Sequence, residues 1–190
     1  MNSFYTREEL NEICLAKIGS NVLISRKSSI YSASKISLGN NVRIDDFCIL
    51  SGKITIGNYI HIASYSALYG GDEGIQICDY AGISSKNSIY AISEDYSGES
   101  MTNPMIPNIY KNIYAEKAVL NKHLPVGAGC VILPGVVLGE GNSFGAMSLI
   151  DKDSEPWTIN AGIPFKKIKR RSREILNLAK QFEKEVMGDV

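Results

Sequence analysis

Apolar residues recur at every sixth position along most of this chain, and this period constrains the fold more than any other feature. A helix would need apolar positions three and four residues apart, so a period of six excludes helix as the main element. Short repeats of fixed length are typical of stacked, solenoid-like architectures. Only two steps depart from six, at Tyr31–Lys35 and at the glycine-rich Gly70–Gly74. The repeat positions are Ile18, Ile24, Ile30, Leu38, Ile44, Leu50, Ile56, Ile62, Leu68, Ile77, Ile83 and Ile89, then in strict register Leu120, Val126, Ile132, Leu138, Phe144 and Ile150.

Each six-residue unit has the pattern of one short strand followed by one corner. Four residues after most repeat positions stands a second small or apolar residue, and Gly, Asn, Asp, Ser or Lys fill the gap between them. These second positions are Val22, Val42, Cys48, Ile54, Ile60, Ala81, Leu124, Cys130 and Val136. Three units would close a triangular coil, and each strand would pair in parallel with its counterpart one coil away, roughly 4.8 Å along the axis. The sequence therefore predicts an all-β parallel β-helix of about six coils.

The two ends of the chain carry helical patterns. Thr6 and Glu9 form a capping-box sequence, which predicts a helix to about Ala16 that caps the first coil. From about Ser172 onward, apolar residues recur at helical spacing. We therefore divide the chain into an N-terminal helical cap (1–17), a β-helix (18–160) and a closing segment with a C-terminal helix (161–190). Within the β-helix, residues 90–117 break the repeat, and we interpret them as an ordered active-site loop.

Composition excludes several classes of function. Twenty Lys and Arg balance twenty Asp and Glu, so no overall field draws the chain to nucleic acid or to an anionic membrane. No apolar run approaches the roughly 20 residues that span a bilayer. The four cysteines lie far apart, as expected for single thiols in a reducing compartment, and the cytoplasm is the expected location. With two histidines and no cysteine cluster, the chain lacks the ligands of a zinc site, and we predict no metal.

The repeats, the interrupting loop and the closing run Ala161–Ile168 together resemble the hexapeptide-repeat acyltransferases. The resemblance covers about residues 18–169, and the nearest branch contains the galactoside, maltose and xenobiotic acetyltransferases. It implies a left-handed β-helix, which the repeat alone does not, since general sheet rules favour right-handed crossovers. It also implies acetyl-CoA as co-substrate and a homotrimer with active sites between subunits. The loop would project to the neighbouring subunit.

The same resemblance assigns the residues that would hold acetyl-CoA. Backbone amides of successive coils would bind the pantetheine arm, Pro164 would lie under the adenine, and Lys166, Lys167 or Arg170 would face its phosphates. The alternative is that the glycines only allow the tight corners of the coil and that the lysines are solvent-exposed and bind no ligand. The residues assigned to the pantetheine arm are Gly127, Ala128, Gly145, Ala146, Ala161 and Gly162.

The family's sugar O-acetyltransferases use a loop histidine as general base, and Glu94 takes its place here. A sugar hydroxyl is a very weak acid and needs a base with a pKa near 7, whereas an ordinary Glu has a pKa near 4.3. An amine needs less help, because its neutral form already carries the attacking lone pair. The replacement therefore favours N-acetylation of an amino sugar. Asp95, as the neighbour of Glu94, and His61, which alternation points outward, are further candidates for catalysis. His61 is also suited to hydrogen bonding at a trimer interface.

A second resemblance, to enzymes of bacterial surface polysaccharides, rests on the stretches 44–52, 94–99 and 101–104. It points to enzymes that acetylate nucleotide-linked 4-amino-4,6-dideoxyhexoses, such as dTDP-4-amino-4,6-dideoxyglucose, for O-antigen and related polymers. Asp45, Asp46, Tyr90 and Tyr96 are the candidate substrate-binding residues. Two alternatives stay open: an O-acetyltransferase acting on a sugar or glycoside hydroxyl, and a β-helix that binds without catalysis.

Overall fold

The computed structural model describes residues 3–187, and its body is a three-sided parallel β-helix. The repeat positions form three ladders, one on each face, in which equivalent residues of successive coils pair in parallel. Face A is the ladder Ile18, Leu38, Ile56, Ile77, Leu120, Leu138. Face B is the ladder Ile24, Ile44, Ile62, Ile83, Val126, Phe144, Asn160. Face C is the ladder Ile30, Leu50, Leu68, Ile89, Ile132, Ile150.

The strands are short because each face of a coil accommodates only two or three residues before the next corner. Two longer strands continue around the corner between faces C and A, Ile49–Ile56 and Ala67–Ile77. The other strands of face A are Lys17–Ile18, Ile36–Leu38, Ala118–Leu120 and Val137–Leu138. Those of face B are Val22–Ile24, Val42–Ile44, Ile60–Ile62, Gly82–Ile83, Pro125–Val126, Ser143–Phe144 and Thr158–Ala161. Those of face C are Ser29–Tyr31, Ser88–Tyr90, Val131–Ile132 and Leu149–Ile150.

The predicted repeat is confirmed, since its positions form one continuous aliphatic core. Nearly all are buried, and the two that are only partly buried, Ile18 and Ile30, lie in the first coil and still pack against the core. The two irregular steps also have a structural counterpart. A 3₁₀ turn, Ala33–Lys35, occupies the first, and the second lies within the strand Ala67–Ile77.

Two of the three corners form ridges that run down the molecule, and from the second coil onward one residue per coil on each ridge has left-handed backbone. Between faces A and B these residues include Tyr59, Tyr80, His123, Gly141 and Trp157, and we call this the covered ridge. Between faces B and C they are Phe47, Tyr65, Lys86, Gly129 and Met147, and we call this the open ridge.

Helix α1 spans Arg7–Glu12, and its predicted capping box is confirmed: Thr6 accepts from the Glu9 amide while the Glu9 carboxylate accepts from the Thr6 amide. The helix ends four residues before the predicted Ala16. Cys14 has a φ of 58°, which a helix cannot continue, and the chain then enters the first strand at Lys17.

Helix α2 spans Ile175–Met187 and lies along the covered ridge. Phe182 packs edge-on against Tyr59, and the Tyr80 hydroxyl donates to Glu183 at 2.7 Å. Within residues 3–187, no helix is both long and apolar enough to cross a membrane. The outer residues of the predicted end segments, 1–2 and 188–190, lie outside the described range.

The segment that breaks the repeat leaves the coil after Tyr90 and returns at Lys117. We call residues 91–116 the arm. It contains an antiparallel hairpin of Ile92–Glu94 with Ile113–Ala115, and a 3₁₀ turn at Asn108–Tyr110. The predicted loop is thus ordered, but it has strands of its own.

Candidate active site

A cavity of about 860 Å³ lies between the arm and the adjoining part of face C. Its wall includes two tyrosines from successive coils, Tyr69 and Tyr90, whose rings stack with centroids 5.1 Å apart. They stack because they occupy the same ladder position in strands one coil apart. The remaining wall is Ile92, Ser93, Glu94, Tyr96, Pro104, Lys111, Ile113, Val131, Leu133 and Pro134. The cavity is therefore largely apolar, with few polar groups, as ligand sites usually are.

Glu94 ends the first strand of the arm, and its carboxylate is held from two sides. One oxygen, Oε2, accepts a hydrogen bond from the Asn103 amide at 2.6 Å. The other, Oε1, lies 3.9 Å from the Lys111 ammonium, whose side chain is only 7% exposed. A carboxylate fixed in this way beside a nearly buried cation is suited to orient a basic substrate group.

Asp95 points instead into the arm itself. Its carboxylate accepts from the Ser97 amide and from the Ser100 hydroxyl, each at 2.8 Å. The hydrogen bond from the Ser97 backbone, followed by those from Ser100 and the Ser97 side chain, lowers the pKa of Asp95 below its ordinary value. Since a lowered pKa weakens a base, these contacts favour a role for Asp95 in shaping the arm.

His61 lies on face B, with its ring exposed and its Nε2 2.7 Å from Asp45 Oδ2. The other oxygen of Asp45 accepts from Arg43 Nε, also at 2.7 Å. Burial by itself would raise the pKa of Asp45, but hydrogen bonds with His61 and Arg43 outweigh it and leave the pKa below its ordinary value. The histidine and this carboxylate, predicted for separate roles, are thus brought together as a pair.

Asp46 is occupied within its own corner. Lys27 donates to one carboxylate oxygen at 2.8 Å, and the Ser25 hydroxyl donates to the other. The Lys27 hydrogen bond first, and then that of Ser25, lowers the pKa of Asp46. These contacts fit the interpretation as a polar corner at least as well as a substrate contact.

The open ridge carries a column of backbone amides that have no partner in the described part of the chain. In each coil the amide one residue before the left-handed position, as in Ser85, Ala128 and Ala146, donates to no other group. Each amide one residue earlier, such as that of Gly127 or Gly145, is used in the ladder of face B. Successive coils repeat roughly every 4.8 Å, so the column can bind an extended chain of carbonyl groups. Of the assigned residues, Ala128 and Ala146 therefore supply free donors.

The fold itself also requires the glycines that are assigned to the pantetheine arm. A side chain on Gly127 would come within 2.5 Å of the Ala146 nitrogen, and one on Gly145 within 3.0 Å of Ala161 Cβ. Gly162 has a φ of 114°, which L side chains rarely adopt. These glycines are needed by the stacking of the last coils, whether or not a ligand lies beside them.

The closing segment folds back as the strand Lys166–Arg170, antiparallel to the last strand of face B. A cleft of about 360 Å³ there contains Trp157, Glu155 and the cations Lys167, Arg170, Arg171 and Arg173. Lys167 pairs with Glu155 at 2.5 Å. Lys166 lines a separate cleft on the other side of Lys167, and Pro164 is exposed and follows a cis peptide bond.

The structure groups the predicted residues into separate clusters. Glu94, Tyr90 and Tyr96 share the arm cavity, whereas His61 and Asp45 lie on face B. Sequence reasoning missed Tyr69 and Lys111. Tyr69 could have been found from the repeat, because it stands one coil before Tyr90 in the same register, but no pattern marks Lys111. No group of three or more His, Cys, Asp or Glu within residues 3–187 could hold a metal ion.

The chain is similar to several known proteins over most of its length. The chain is 46% identical to the dTDP-4-amino-4,6-dideoxy-D-glucose acyltransferase of Escherichia coli over 184 residues, 95% of each protein. The structure of AntD, an N-acyltransferase from Bacillus cereus, in complex with dTDP and 3-hydroxybutyryl-CoA is 52% identical with a TM-score of 0.96, covering 98% of this chain and all of AntD. A serine-to-alanine variant of AntD, with the same scores, holds dTDP-4-amino-4,6-dideoxyglucose and CoA. A galactoside acetyltransferase in complex with CoA, 20% identical over 88% of this chain and 71% of its own, shares the fold with a TM-score of 0.60. No protein-family model matches the chain.

Proposed function

The chain belongs to the hexapeptide-repeat acyltransferases, with their left-handed β-helix, and from this membership we propose that it acylates the 4-amino group of dTDP-4-amino-4,6-dideoxyglucose. The observation that carries the proposal is the arm cavity lined by Glu94, the residue that the sequence resemblance assigns to the position of the family's loop histidine. A fixed carboxylate serves an amine acceptor better than a hydroxyl acceptor. The product would be an activated sugar, which a glycosyltransferase could use in surface-polysaccharide assembly.

The acyl donor is acyl-CoA, and the open ridge is its proposed track. The free amides of Ala128 and Ala146 would donate to the carbonyl groups of the pantetheine arm. The cations of the closing segment, among them Lys166, Lys167 and Arg170, would face the phosphates. Acetyl is the acyl group expected from the sequence, and AntD shows that a relative holds a longer one.

In the transfer step the neutral amine attacks the thioester carbonyl carbon. The new C–N bond forms, the C–S bond breaks, and CoA leaves with the sulfur. The proton lost by the nitrogen passes to Glu94, directly or through water, while the carboxylate holds the amine in line. The pair His61 and Asp45 is the second candidate for accepting this proton, and Asp95 supports the arm.

The tyrosines of the cavity are the proposed contacts for the nucleotide sugar. Tyr69 and Tyr90 present a stacked aromatic wall, and Tyr96 lies beside it with 88% of its surface exposed. Aromatic faces pack well on the flat, apolar parts of bases and deoxysugars. Asp45 and Asp46 could contact the sugar only if the subunits assemble so that face B of one lies beside the arm of another.

We propose a homotrimer, because the arm exposes several large apolar side chains that a neighbouring subunit could cover. Met105 and Ile109 are 88% and 83% exposed. A neighbouring subunit that covers the arm would also bring Glu94 towards face B and its His61. Light scattering should give a mass three times that of the 20.8 kDa chain, and a monomer mass would contradict this assembly.

The direct test incubates purified protein with acetyl-CoA and dTDP-4-amino-4,6-dideoxyglucose and follows CoA release and product mass. We expect a product heavier by one acetyl group that survives the mild base that cleaves esters. A base-labile product would support O-acylation instead. No transfer to the amine, with acyl-CoA still bound, would contradict the proposed acceptor.

The role of Glu94 can be tested by Glu94→Gln, which keeps the shape of the side chain and removes its charge. We expect kcat/KM to fall by roughly 100-fold or more in a variant that still folds, with some loss of melting temperature because the nearly buried Lys111 loses its ion-pair partner. Glu99→Gln is the matched control, since Glu99 is exposed on the same arm and lies outside the cavity. Equal activity of the two variants would remove Glu94 from the mechanism.

A further inference from the structure

Gly82 occupies an unusual place on face B. It starts the strand Gly82–Ile83, where its neighbours in the ladder are His61 in the coil before and Pro125 in the coil after. Its successor Ile83 is buried, so alternation directs position 82 outward. Glycine weakens a strand because it loses more conformational entropy on folding than other residues do and supplies no side chain to pack.

The fold gives no reason for a glycine at this position. Every other glycine in the described part of the chain either has a positive φ or would press a side chain to within about 3 Å of a neighbouring atom. Gly82 has neither restriction, and a Cβ built on it meets nothing within 4 Å. A glycine within a strand that the fold does not require often marks the close approach of a ligand or of another backbone.

The ligand that would approach Gly82 follows from the column of free amides. The column rises along the open ridge through Ala146 and Ala128 to Ser85, which lies three residues after Gly82 in the same coil. If the pantetheine arm follows the column, its sulfur end and the acyl group reach the coil that contains Gly82. There the acyl group would meet the open side of Gly82, with the exposed ring of His61 above it.

We propose that Gly82 is the position that determines acyl-chain length: its missing side chain leaves the space into which an acyl group longer than acetyl extends. The inference rests on the proposed function for the donor track, and it adds the residue that limits the donor. A side chain at position 82 should therefore leave acetyl accepted and exclude longer chains. The proposal concerns the acyl group alone and makes no use of the sugar.

Binding measurements test this without an acceptor. Calorimetry would give the Kd of CoA, acetyl-CoA and butyryl-CoA for the wild-type chain, Gly82→Ala and Gly82→Val. We expect the Kd of CoA to be unchanged, and Gly82→Val to weaken butyryl-CoA about tenfold or more relative to acetyl-CoA, with Gly82→Ala between. Because a Cβ here meets nothing, both variants should melt no lower than the wild type. Ser37→Val is the control, since it places the same valine side chain at an outward strand position on face A and should change none of the three affinities.

Three results would overturn the proposal. An unchanged ratio of the butyryl-CoA to acetyl-CoA affinities would show that the acyl group lies elsewhere. Equal weakening of all three ligands, CoA included, would place Gly82 beside another part of the donor. If light scattering gave Gly82→Val a smaller assembly mass than the wild type, Gly82 would instead make room for a neighbouring subunit. Failure of the proposed function would give a different result. The Kd values of the wild type and the Gly82 variants would follow the expected pattern, but the wild-type chain would transfer no acyl group to the amino sugar.

Discussion

The covered ridge and the open ridge are built by the same repeat, yet they carry different residues. From Phe47 to Trp157, both place one left-handed residue in each coil, with φ values between 57° and 73°. On the covered ridge, Tyr59, Tyr80 and His123 stack one on another, and α2 closes over them. On the open ridge, Phe47 stacks on Tyr65, but the lower coils carry Gly129 and the exposed Met147.

The difference separates what the fold needs from what a ligand needs. On the covered ridge the large side chains pack against one another and against α2. Arg171 also donates hydrogen bonds to the carbonyls of His123, Gly141 and Asn142. Backbone amides without a partner occur on both ridges, at Lys122 and Glu140 as at Ala128 and Ala146, but on the open ridge no helix of the described chain covers the column. We therefore expect substitutions on the covered ridge to change stability, and substitutions on the open ridge to change binding of the acyl donor.

The largest contrast should come from a glycine on each ridge. At Gly141 a Cβ would lie 2.4 Å from the Trp157 ring, whereas at Gly129 it would meet only the flexible end of Met147. Both positions have left-handed backbone, which costs a non-glycine residue about 1–2 kcal/mol. Overpacking against the indole adds about 1–3 kcal/mol. Gly141→Ala should lower the free energy of unfolding by about 2–5 kcal/mol and Gly129→Ala by about 1–2 kcal/mol, as measured by chemical denaturation. Equal losses would contradict the distinction between the ridges.

A smaller contrast should come from truncating one apolar side chain on each ridge. Phe182 of α2 packs on Tyr59 and is 37% exposed, so Phe182→Ala should lower the free energy of unfolding by about 1–2 kcal/mol. Met147 is 64% exposed, and Met147→Ala should change the free energy of unfolding by less than about 0.5 kcal/mol. Thermal or urea unfolding of the two variants compares them directly. A large loss for Met147→Ala would mean that the open ridge is packed against something in solution.

The smallest effect should be a pH dependence from the covered ridge. Burial lowers the pKa of His123 below 6.5, and the nearby charges are Glu140, Lys122, Arg171 and Glu183. The unfolded chain therefore binds a proton at a higher pH than the folded chain, so stability falls as pH drops below about 6.5. His123→Phe keeps a ring in the stack and removes this proton. Unfolding measured from pH 7.5 to 5 should decline less for the variant than for the wild type, and parallel declines would contradict the assignment.

The sequence predicts the coils well because their information is local and repeated. An inward position such as Ile62 or Ile132 repeats at a fixed interval, and burial of one face per strand fixes the register. The capping box at Thr6 is equally local and was predicted correctly. The end of α1 was predicted too late, since nothing in the type of residue at Cys14 signals its left-handed backbone.

The site is less predictable because its geometry depends on contacts between distant segments. Glu94 could be selected from the repeat that precedes it, but its neighbours Asn103 and Lys111 lie across the hairpin, at no fixed spacing. The outward direction of His61 follows from alternation, whereas its pairing with Asp45 depends on the stacking of two coils. The catalytic and binding roles given to these residues stay predictions until they are tested by substitution.

The open ridge as the track of the acyl donor can be tested most directly by deleting one backbone donor. Ala146→Pro removes the free amide, and the chain already tolerates this arrangement elsewhere: Pro156 precedes left-handed Trp157 and lies under Gly139 as Ala146 lies under Gly127. Loss of one hydrogen bond should raise the KM for acyl-CoA about 2- to 10-fold and leave the KM for the nucleotide sugar unchanged. Ala146→Ser, which keeps the amide, should behave like the wild type in both constants. An unchanged KM for acyl-CoA in a folded Ala146→Pro variant would contradict the account.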